Sequence, residues 1–156
     1  MEIRQATTSE LEAVADLAGE FYSSTRFLRV FDKARFVQLW TGFIEAGTGV
    51  IFAIYDGDKV GGAIAGIMYP EAYSGEDIAQ EFFWFIRSDY RGTIRSIKLY
   101  HEFERWAREK GASEVRMCHL MDSMPEVVSS FYDRLGYAAA EVVYVKALDA
   151  SSRMVA

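Results

Sequence analysis

Three strand-like runs follow one another in the middle of the sequence, and they constrain the fold more than any other feature. Residues 50–55 and 59–68 are mostly apolar and flank Asp56-Gly57-Asp58, which is a strong signal for the turn of a hairpin. The third run, residues 80–87, is rich in aromatic side chains ("EFFWFI"). Because no helical pattern separates these runs, they predict consecutive, mostly antiparallel strands in one central sheet.

Helical patterns precede these strands. After a short candidate strand at Glu2–Gln5, the spacing of Thr7 and Glu10 predicts a capping box at the start of a first helix. A second helix is predicted to begin after Asp32, and its apolar positions recur at helical spacing. The N-terminal third of the chain therefore contributes one strand and two helices.

The patterns after the third run alternate between helix and strand. They predict a helix from about 94 to 110, a strand at 114–120, a short helix capped by Ser123-x-x-Glu126, and a strand at 141–148. The whole order is β-α-α-β-β-β-α-β-α-β, with a β-α-β crossover in its later part. We therefore predict an α/β (α+β) fold: a single domain over residues 1–148 with a mixed, mostly antiparallel sheet and about four helices, followed by a short tail at 149–156.

Composition excludes several classes of function. The chain has 156 residues and a formal net charge of −6, which argues against general nucleic-acid binding because that needs a broad basic face. No apolar run approaches the roughly 20 residues of a membrane span, and the N-terminus lacks the apolar core of a signal peptide. The single cysteine, Cys118, cannot form an internal disulfide, so we expect a cytoplasmic location. We expect Cys118 itself to be a small buried apolar residue on a strand.

A local excess of positive charge interrupts this acidic chain. Residues 87–116 contain eight Lys and Arg against five Asp and Glu, a charge of +3, so the rest of the chain carries −9. The excess lies where a strand, a turn with Gly92 and a helix start follow one another, and unpaired amides at a helix start bind phosphate groups. The alternative is a solvated helix start whose arginines pair with Asp89 and Glu102.

Two segments resemble a known family. Residues 86–99, "IRSDYRGTIRSIKL", resemble motif A of the GNAT acetyltransferase superfamily, and residues 129–137, "SSFYDRLGY", resemble its segment before the last strands. The first match departs from the family pattern at Ser88, which replaces a proline, and at Ile94 and Ser96, which replace small loop residues. An asparagine usual in the family is Pro125 here, so its contact to pantetheine is either absent or supplied by Ser123.

The resemblance implies an acetyl-CoA-dependent N-acetyltransferase that acts on a primary amine by direct attack in a ternary complex, without a metal. The acceptor would be a small molecule or a protein, and a homodimer is left open. The pantetheine arm would add beside the end of the third central run, along Trp84 and Ile86. The pyrophosphate would lie on the turn and helix start formed by Arg91, Gly92, Thr93, Ile94, Arg95 and Ser96.

Three residues are candidates for proton transfer. Tyr132 falls on the position of the family's general acid, although at this spacing it could equally be a core aromatic residue. Glu81 is the candidate base because its aromatic neighbours would desolvate it and raise its pKa. His119 is a second candidate because imidazole titrates near neutrality, and a chain of water molecules is a third. For each of these three side chains the alternative is a structural role.

The acceptor is the least specified element. The family builds its acceptor pocket near residues 21–36 and near the predicted acidic loop 69–79. Glu71, Glu76 and Asp77 in that loop would favour a cationic amine, whereas the alternative is a solvated loop. The imperfect phosphate loop also leaves two other functions open: an inactive CoA-binding regulatory or interaction module, and a protein that has kept the fold and lost CoA binding.

Overall fold

The computed structural model describes residues 1–26, 29–92, 94–121, 125–146 and 148. These ranges contain four helices of more than one turn and five strands. In chain order they are β1 (Glu2–Gln5), α1 (Leu11–Ser23), α2 (Lys33–Glu45), β2 (Gly49–Asp56), β3 (Lys59–Pro70), β4 (Asp77–Ile86), α3 (Ile94–Glu109), β5 (Glu114–Arg116) and α4 (Pro125–Arg134). None of the helices described is long and apolar enough to cross a membrane.

The five strands form one sheet in the order β1-β2-β3-β4-β5. The first four strands are antiparallel neighbours, and β5 pairs parallel to β4. Alternate residues of β2 enter two different core clusters: Ile51 and Ala53 pack with α1 and α2, and Phe52 and Ile54 pack with α3. Since neighbouring side chains of a strand point to opposite faces, helices cover both faces of the sheet. The predicted mixed, mostly antiparallel sheet with four helices is confirmed.

Local signals placed the first elements correctly. The carboxylate of Glu10 accepts from the Thr7 N–H at 2.9 Å, and the Thr7 side chain accepts from the Glu10 N–H, which together form the capping box. The Thr7 hydroxyl also donates to the Glu10 carboxylate at 2.8 Å. The side chain of Asp32 accepts from the Arg35 N–H at 2.9 Å and caps α2. Gly57 has a φ of +61° in the turn between β2 and β3, a conformation that glycine adopts without strain.

The predicted acidic loop is shorter than expected. Strands β3 and β4 remain paired as far as Pro70 and Asp77, so only six residues, 71–76, lie between them. The loop closes on itself because the Glu71 N–H donates to the carbonyl of Glu76 at 2.8 Å. The prediction of a loop over 69–79 was therefore wrong at both ends, because pairing across the hairpin extends both strands.

The two later strands also differ from expectation. The strand predicted at 114–120 ends at Arg116, because the backbone N–H of Cys118 donates to a side chain and not to a neighbouring strand. The strand predicted at 141–148 is not formed over the described residues 141–146 and 148, and Tyr144 is 92% exposed. Ser123, Thr93 and the predicted tail 149–156 lie outside the described residues.

Candidate active site

The sheet opens between β4 and β5. Strand β5 pairs with β4 only at residues 78–80, so the rest of β4 has no strand neighbour on that side among the described residues. The pairing with β3 shifts at the same place: Ala65 lies opposite Phe83 and Gly66 lies opposite Glu81, which leaves Phe82 as an extra residue. This β-bulge bends β4 where it parts from β5, and bulges often turn a side chain toward a functional site.

Glu81 points into this opening from the α3 side of the sheet. A Cβ on Gly66, its partner on β3, would lie 2.5 Å from the Phe103 ring of α3, which identifies the face. Glu81 is 3% exposed and is the buried charged residue of the described chain. Burial raises the pKa of its carboxyl to about 7, and hydrogen bonds from Cys118 oppose that rise. The expected desolvation of Glu81 is therefore present.

Cys118 binds Glu81 through two donors. Its backbone N–H and its thiol each lie 3.1 Å from Oε2 of Glu81. The prediction of a buried apolar cysteine on a strand was wrong: Cys118 lies beyond the end of β5, the residue as a whole is exposed, and its sulfur faces the carboxylate. Burial of the sulfur and the charge of Glu81 raise the pKa of the thiol.

Tyr132 also contacts Cys118. It lies on α4, is 8% exposed, and its hydroxyl donates to the carbonyl oxygen of Cys118 at 2.9 Å. Burial, followed by the charge of Glu81, raises the pKa of the phenol. His119 is exposed beside this group, and its ring centroid lies 6.4 Å from that of Tyr132. The fold thus brings the three candidates for proton transfer into one place.

The loop between β4 and α3 makes a tight turn although Ile94 replaces a small loop residue of the family pattern. Gly92 has a φ of +68° and supplies the left-handed residue of the turn. Ile94 is the first residue of α3 and is 69% exposed, so its backbone is helical and its side chain projects outward. The absence of a glycine at position 94 is therefore compatible with a tight turn, since Gly92 makes it.

Three basic residues surround this helix start. Arg91 is held in place because its Nε donates to the carbonyl of Ile86 at 2.6 Å, and its guanidinium lies 5.6 Å from the centre of the Phe85 ring. Arg95 and Lys98 line a cavity of about 360 Å³ on the next turn of α3. Ser96, also in the first turn, is half-buried. Backbone amides and positive charge thus coincide at the start of α3.

Ion pairs involve four of the other five bases of the basic segment. They are Arg87–Glu20 at 2.5 Å, Arg108–Glu104 at 2.8 Å, Arg116–Glu114 at 2.5 Å, and Arg105–Glu102. Glu102, which was one expected partner for the arginines of the helix start, forms an ion pair with Arg105, one turn further along α3. The charges of these four arginines are therefore balanced by neighbouring carboxylates.

Trp84, near the end of β4, has a buried hydrogen-bond donor without a partner in the described part of the chain. Its ring lies between α3 and α4, with centroids 6.3 Å from Tyr100 and 5.8 Å from Phe131. Its Nε1 is buried and has no acceptor among the described residues. An orphaned buried donor is costly, and a ligand rich in carbonyl groups would satisfy it. The residues present at this end of β4 therefore fit a pantetheine arm.

The two expected acceptor regions have different characters. The Glu71 carboxylate accepts from the Tyr73 N–H, the Ser74 N–H and the Ser74 hydroxyl at 2.8–3.0 Å, so it ties the turn between β3 and β4. These bonds, that of the Ser74 N–H first, lower its pKa. The helical region presents aromatic rings instead, since Phe36 and Phe21 lie 6.1 Å and 6.3 Å from Phe83.

Sequence reasoning missed Cys118 as a site residue. The contact joins residues 37 positions apart and depends on where β5 ends and where β4 bulges. A charged residue within the aromatic run was the one local signal, and it indicated Glu81 but not its partner. No cluster of three or more metal-binding side chains occurs within the residues that the structure describes.

Solved structures show the class of fold. The ribosomal-protein-alanine N-acetyltransferase of Brucella melitensis biovar Abortus 2308 is 16% identical, with 94% of this chain and 98% of that chain covered and a TM-score of 0.72. The glucosamine-6-phosphate N-acetyltransferase of Arabidopsis thaliana is 14% identical (95% and 98% covered, TM-score 0.73). An aminoglycoside acetyltransferase from an uncultured soil metagenomic sample, in complex with sisomicin, is 13% identical (95% and 96% covered, TM-score 0.74). At these identities the likeness concerns the fold.

The family follows from the sequence itself. A model of the acetyltransferase (GNAT) family matches residues 11–137, and the chain belongs to this family. The resemblance inferred from residues 86–99 and 129–137 is thereby confirmed. No curated protein sequence matches the chain at a significant level.

Proposed function

We propose that this protein transfers an acetyl group from acetyl-CoA to a primary amine by direct attack in a ternary complex. The observation that carries the proposal is the buried carboxyl of Glu81, which lies at the opening beside β4 within one hydrogen-bonded group that also contains Tyr132. A carboxyl with a pKa of about 7 can accept a proton near neutral pH. A fully exposed glutamate would be a weaker base there.

Acetyl-CoA, which the family implies, would supply an acyl thioester activated for attack by an amine. Trp84 Nε1 and the unpaired part of β4 would hold its pantetheine arm. The amides at the start of α3, with Arg91, Gly92, Ile94, Arg95 and Ser96 around them, would hold its pyrophosphate, and Thr93 falls between them in sequence. Ile86 would act through packing, and its carbonyl already fixes Arg91.

Two proton transfers would fall to the chain's own residues. Glu81 would take the proton that the amine must lose before or during attack, at Oε1 or Oε2. Tyr132 would give its phenolic proton to the departing sulfur, and this requires its hydroxyl to turn away from the Cys118 carbonyl. His119, exposed at the edge of the group, is the second candidate for the base. Each such transfer typically contributes roughly 10²–10⁴-fold to the rate.

The acceptor is proposed as an amine of a small molecule or of a protein. The relatives named above are enzymes for a ribosomal-protein alanine, glucosamine-6-phosphate and an aminoglycoside, which share only an amino group. Phe21 and Phe36 pack against the buried Phe83 in the core on the α1–α2 face, so they do not narrow the choice among these amines. Glu71 is occupied in its turn, which weakens the argument that the acidic loop selects a cationic amine.

Thermal shift followed by a turnover assay tests the proposal. Acetyl-CoA at a hundredfold excess over its Kd should stabilise the protein by about 2.7 kcal/mol. Thiol release is then measured with an alanine-terminated peptide, glucosamine-6-phosphate, sisomicin and spermidine, and turnover with at least one amine is expected. Stabilisation without turnover over a broad amine panel would favour the rival, an inactive CoA-binding module.

A pair of variants at Ser96 tests the place of the pyrophosphate. Ser96→Glu should abolish acetyl-CoA binding, because it adds bulk and a like charge in the first turn of α3, while a carboxylate at a helix start is compatible with folding. Ser96→Gln adds nearly the same bulk without the charge and should retain more affinity. Equal, wild-type affinity in both variants would place the anion elsewhere.

A further inference from the structure

We propose that Cys118 is a positioning residue that holds both the Glu81 carboxylate and the Tyr132 phenol in place and sets the pH range in which the site works. This inference rests on the function proposed above. Nothing in the family resemblance assigned a role to this cysteine, and its expected role was that of a small core residue.

The geometry gives every polar group of Cys118 a partner in the site. The N–H and the thiol both donate to Oε2 of Glu81, each at 3.1 Å, and the carbonyl accepts from the Tyr132 hydroxyl at 2.9 Å. One residue therefore joins both candidate proton-transfer groups. Both donors bind the same oxygen, so Oε1 of Glu81 accepts no hydrogen bond from the described residues.

Among the side chains around Glu81, the Cys118 thiol is the one expected to influence its protonation most. Strand β3 presents Gly66 opposite it, and α3 presents Phe103 over that glycine, so neither element brings a titratable group. The titratable groups that face Glu81 are Cys118 and, from α4, Tyr132, with His119 beside the latter. Among the described residues, the one side chain that donates a hydrogen bond to Glu81 is Cys118.

A thiol is a weak hydrogen-bond donor, and this explains why cysteine suits the position. A hydroxyl would bind the ionised carboxylate more strongly and lower the pKa of Glu81, whereas a methyl group would remove the bond and raise it. The pKa of Glu81 should therefore fall in the order Cys118→Ala, wild type, Cys118→Ser. A serine would make Glu81 a weaker base, and an alanine would leave it protonated at neutral pH.

The pH dependence of kcat/KM tests this order, with the amine of highest turnover from the panel above. In Cys118→Ala the acidic limb should move upward by about one pH unit, a tenfold change in the ionised fraction at a given pH below the limb. In Cys118→Ser it should move downward, and KM for acetyl-CoA should stay unchanged in both. A purely structural cysteine would lower the folded fraction without moving the limb, and three superimposable profiles would overturn the proposal.

A second measurement needs no turnover. Since Cys118 is the one cysteine of the chain, the rate of alkylation by iodoacetamide reports on its thiol alone. Glu81→Gln removes the neighbouring charge, lowers the pKa of the thiol, and should accelerate alkylation at neutral pH about tenfold. Glu109→Gln, at the exposed end of α3, removes the same charge elsewhere and should leave the rate at its wild-type value.

The two measurements separate this inference from the proposed function. Accelerated alkylation in Glu81→Gln, in a protein that turns over no amine, would support the contact between Cys118 and Glu81 and count against the enzyme. Turnover by a protein whose alkylation rate is the same with and without Glu81 would overturn the role of Cys118 and leave the enzyme standing.

Discussion

Glu10 and Glu81 lie at opposite ends of the sheet, and their carboxylates have opposite chemistry. Beside β1, Glu10 receives two hydrogen bonds from the Arg4 guanidinium, at 2.5 Å and 2.9 Å, and its pKa is lowered to about 2. Beside the opening of β4, Glu81 receives two bonds from an uncharged cysteine and is more deeply buried, and its pKa is raised to about 7. Each carboxylate accepts several hydrogen bonds, so the count of bonds does not explain the difference.

The difference lies in charge and in access to solvent. A cation next to a carboxylate favours its ionised form, whereas burial without a cation disfavours it. At the β1 edge the ionised glutamate fixes the start of α1, which is a structural role. At the opening, the protein keeps a carboxyl that is poised to change its protonation state near neutral pH, and such groups are concentrated at functional sites.

The largest expected effect is that of Tyr132→Phe at the opening. The substitution keeps the ring and removes the hydroxyl, so kcat should fall by roughly 10²–10⁴-fold if that hydroxyl protonates the departing thiolate. The lost bond to the Cys118 carbonyl should cost about 1 kcal/mol of stability. The loss of kcat should shrink at high pH, where the thiolate leaves without help.

Tyr137→Phe is the matched control for this substitution. The Tyr137 hydroxyl pairs with that of Tyr100 at 3.1 Å, so the substitution removes a comparable, partly buried hydrogen bond that does not involve Cys118. Turnover per folded molecule should persist in this variant. A fully active Tyr132→Phe protein would show that the opening uses another acid.

The next effect concerns stability against pH. Between its unfolded pKa near 4.5 and its folded pKa near 7, Glu81 is ionised in the unfolded state and protonated in the folded state, so stability falls as pH rises through this window. Because glutamine does not titrate, the Glu81→Gln variant does not lose stability in this way as the pH rises. Relative to wild type, the variant should therefore gain up to about 3 kcal/mol between pH 4.5 and pH 8 in urea unfolding. A difference that stays constant across this range would mean that the pKa of Glu81 is unshifted.

The smallest effects concern the packing around two glycines, one on β3 and one on α2. A Cβ at Gly66 would lie 2.5 Å from both the Phe103 ring and the Gln80 carbonyl oxygen, so Gly66→Ala should cost about 1–3 kcal/mol through overpacking. A Cβ at Gly42, which is exposed on α2, would meet no atom within 4 Å, and Gly42→Ala should stabilise by about 0.5–1 kcal/mol. Denaturation midpoints that rank these two variants the other way round would contradict the packing described for β3 and α3.

The sequence predicted the elements that depend on neighbouring residues. The Asp56-Gly57-Asp58 turn, the cap at Asp32 and the box at Thr7 and Glu10 are local, and all are present. The strand pattern at 141–148 is equally clear, yet the described residues there are exposed, because a pattern indicates which face can be buried but not whether a neighbouring strand is available.

The candidate site was predictable only in part. The resemblance and the aromatic run indicated Tyr132 and Glu81, because a single segment contains each signal. The group that joins them depends on a bulge at Phe82, on the end of β5 at Arg116, and on the resulting approach of Cys118. These are long-range features of strand register, which single-residue propensities do not encode.

The most direct test of the chemistry proposed for Glu81 is a titration of the side-chain carboxyl carbons by NMR, with ¹³C-labelled glutamate and with Glu81→Gln and Glu10→Gln to assign two of the resonances. We predict that the Glu81 resonance titrates with a midpoint near pH 7 and the Glu10 resonance near pH 2. A midpoint for Glu81 close to the ordinary glutamate value of about 4.3 would contradict the proposal, because a carboxyl that is ionised throughout the neutral range would be neither desolvated nor suited to the proton transfer proposed for it.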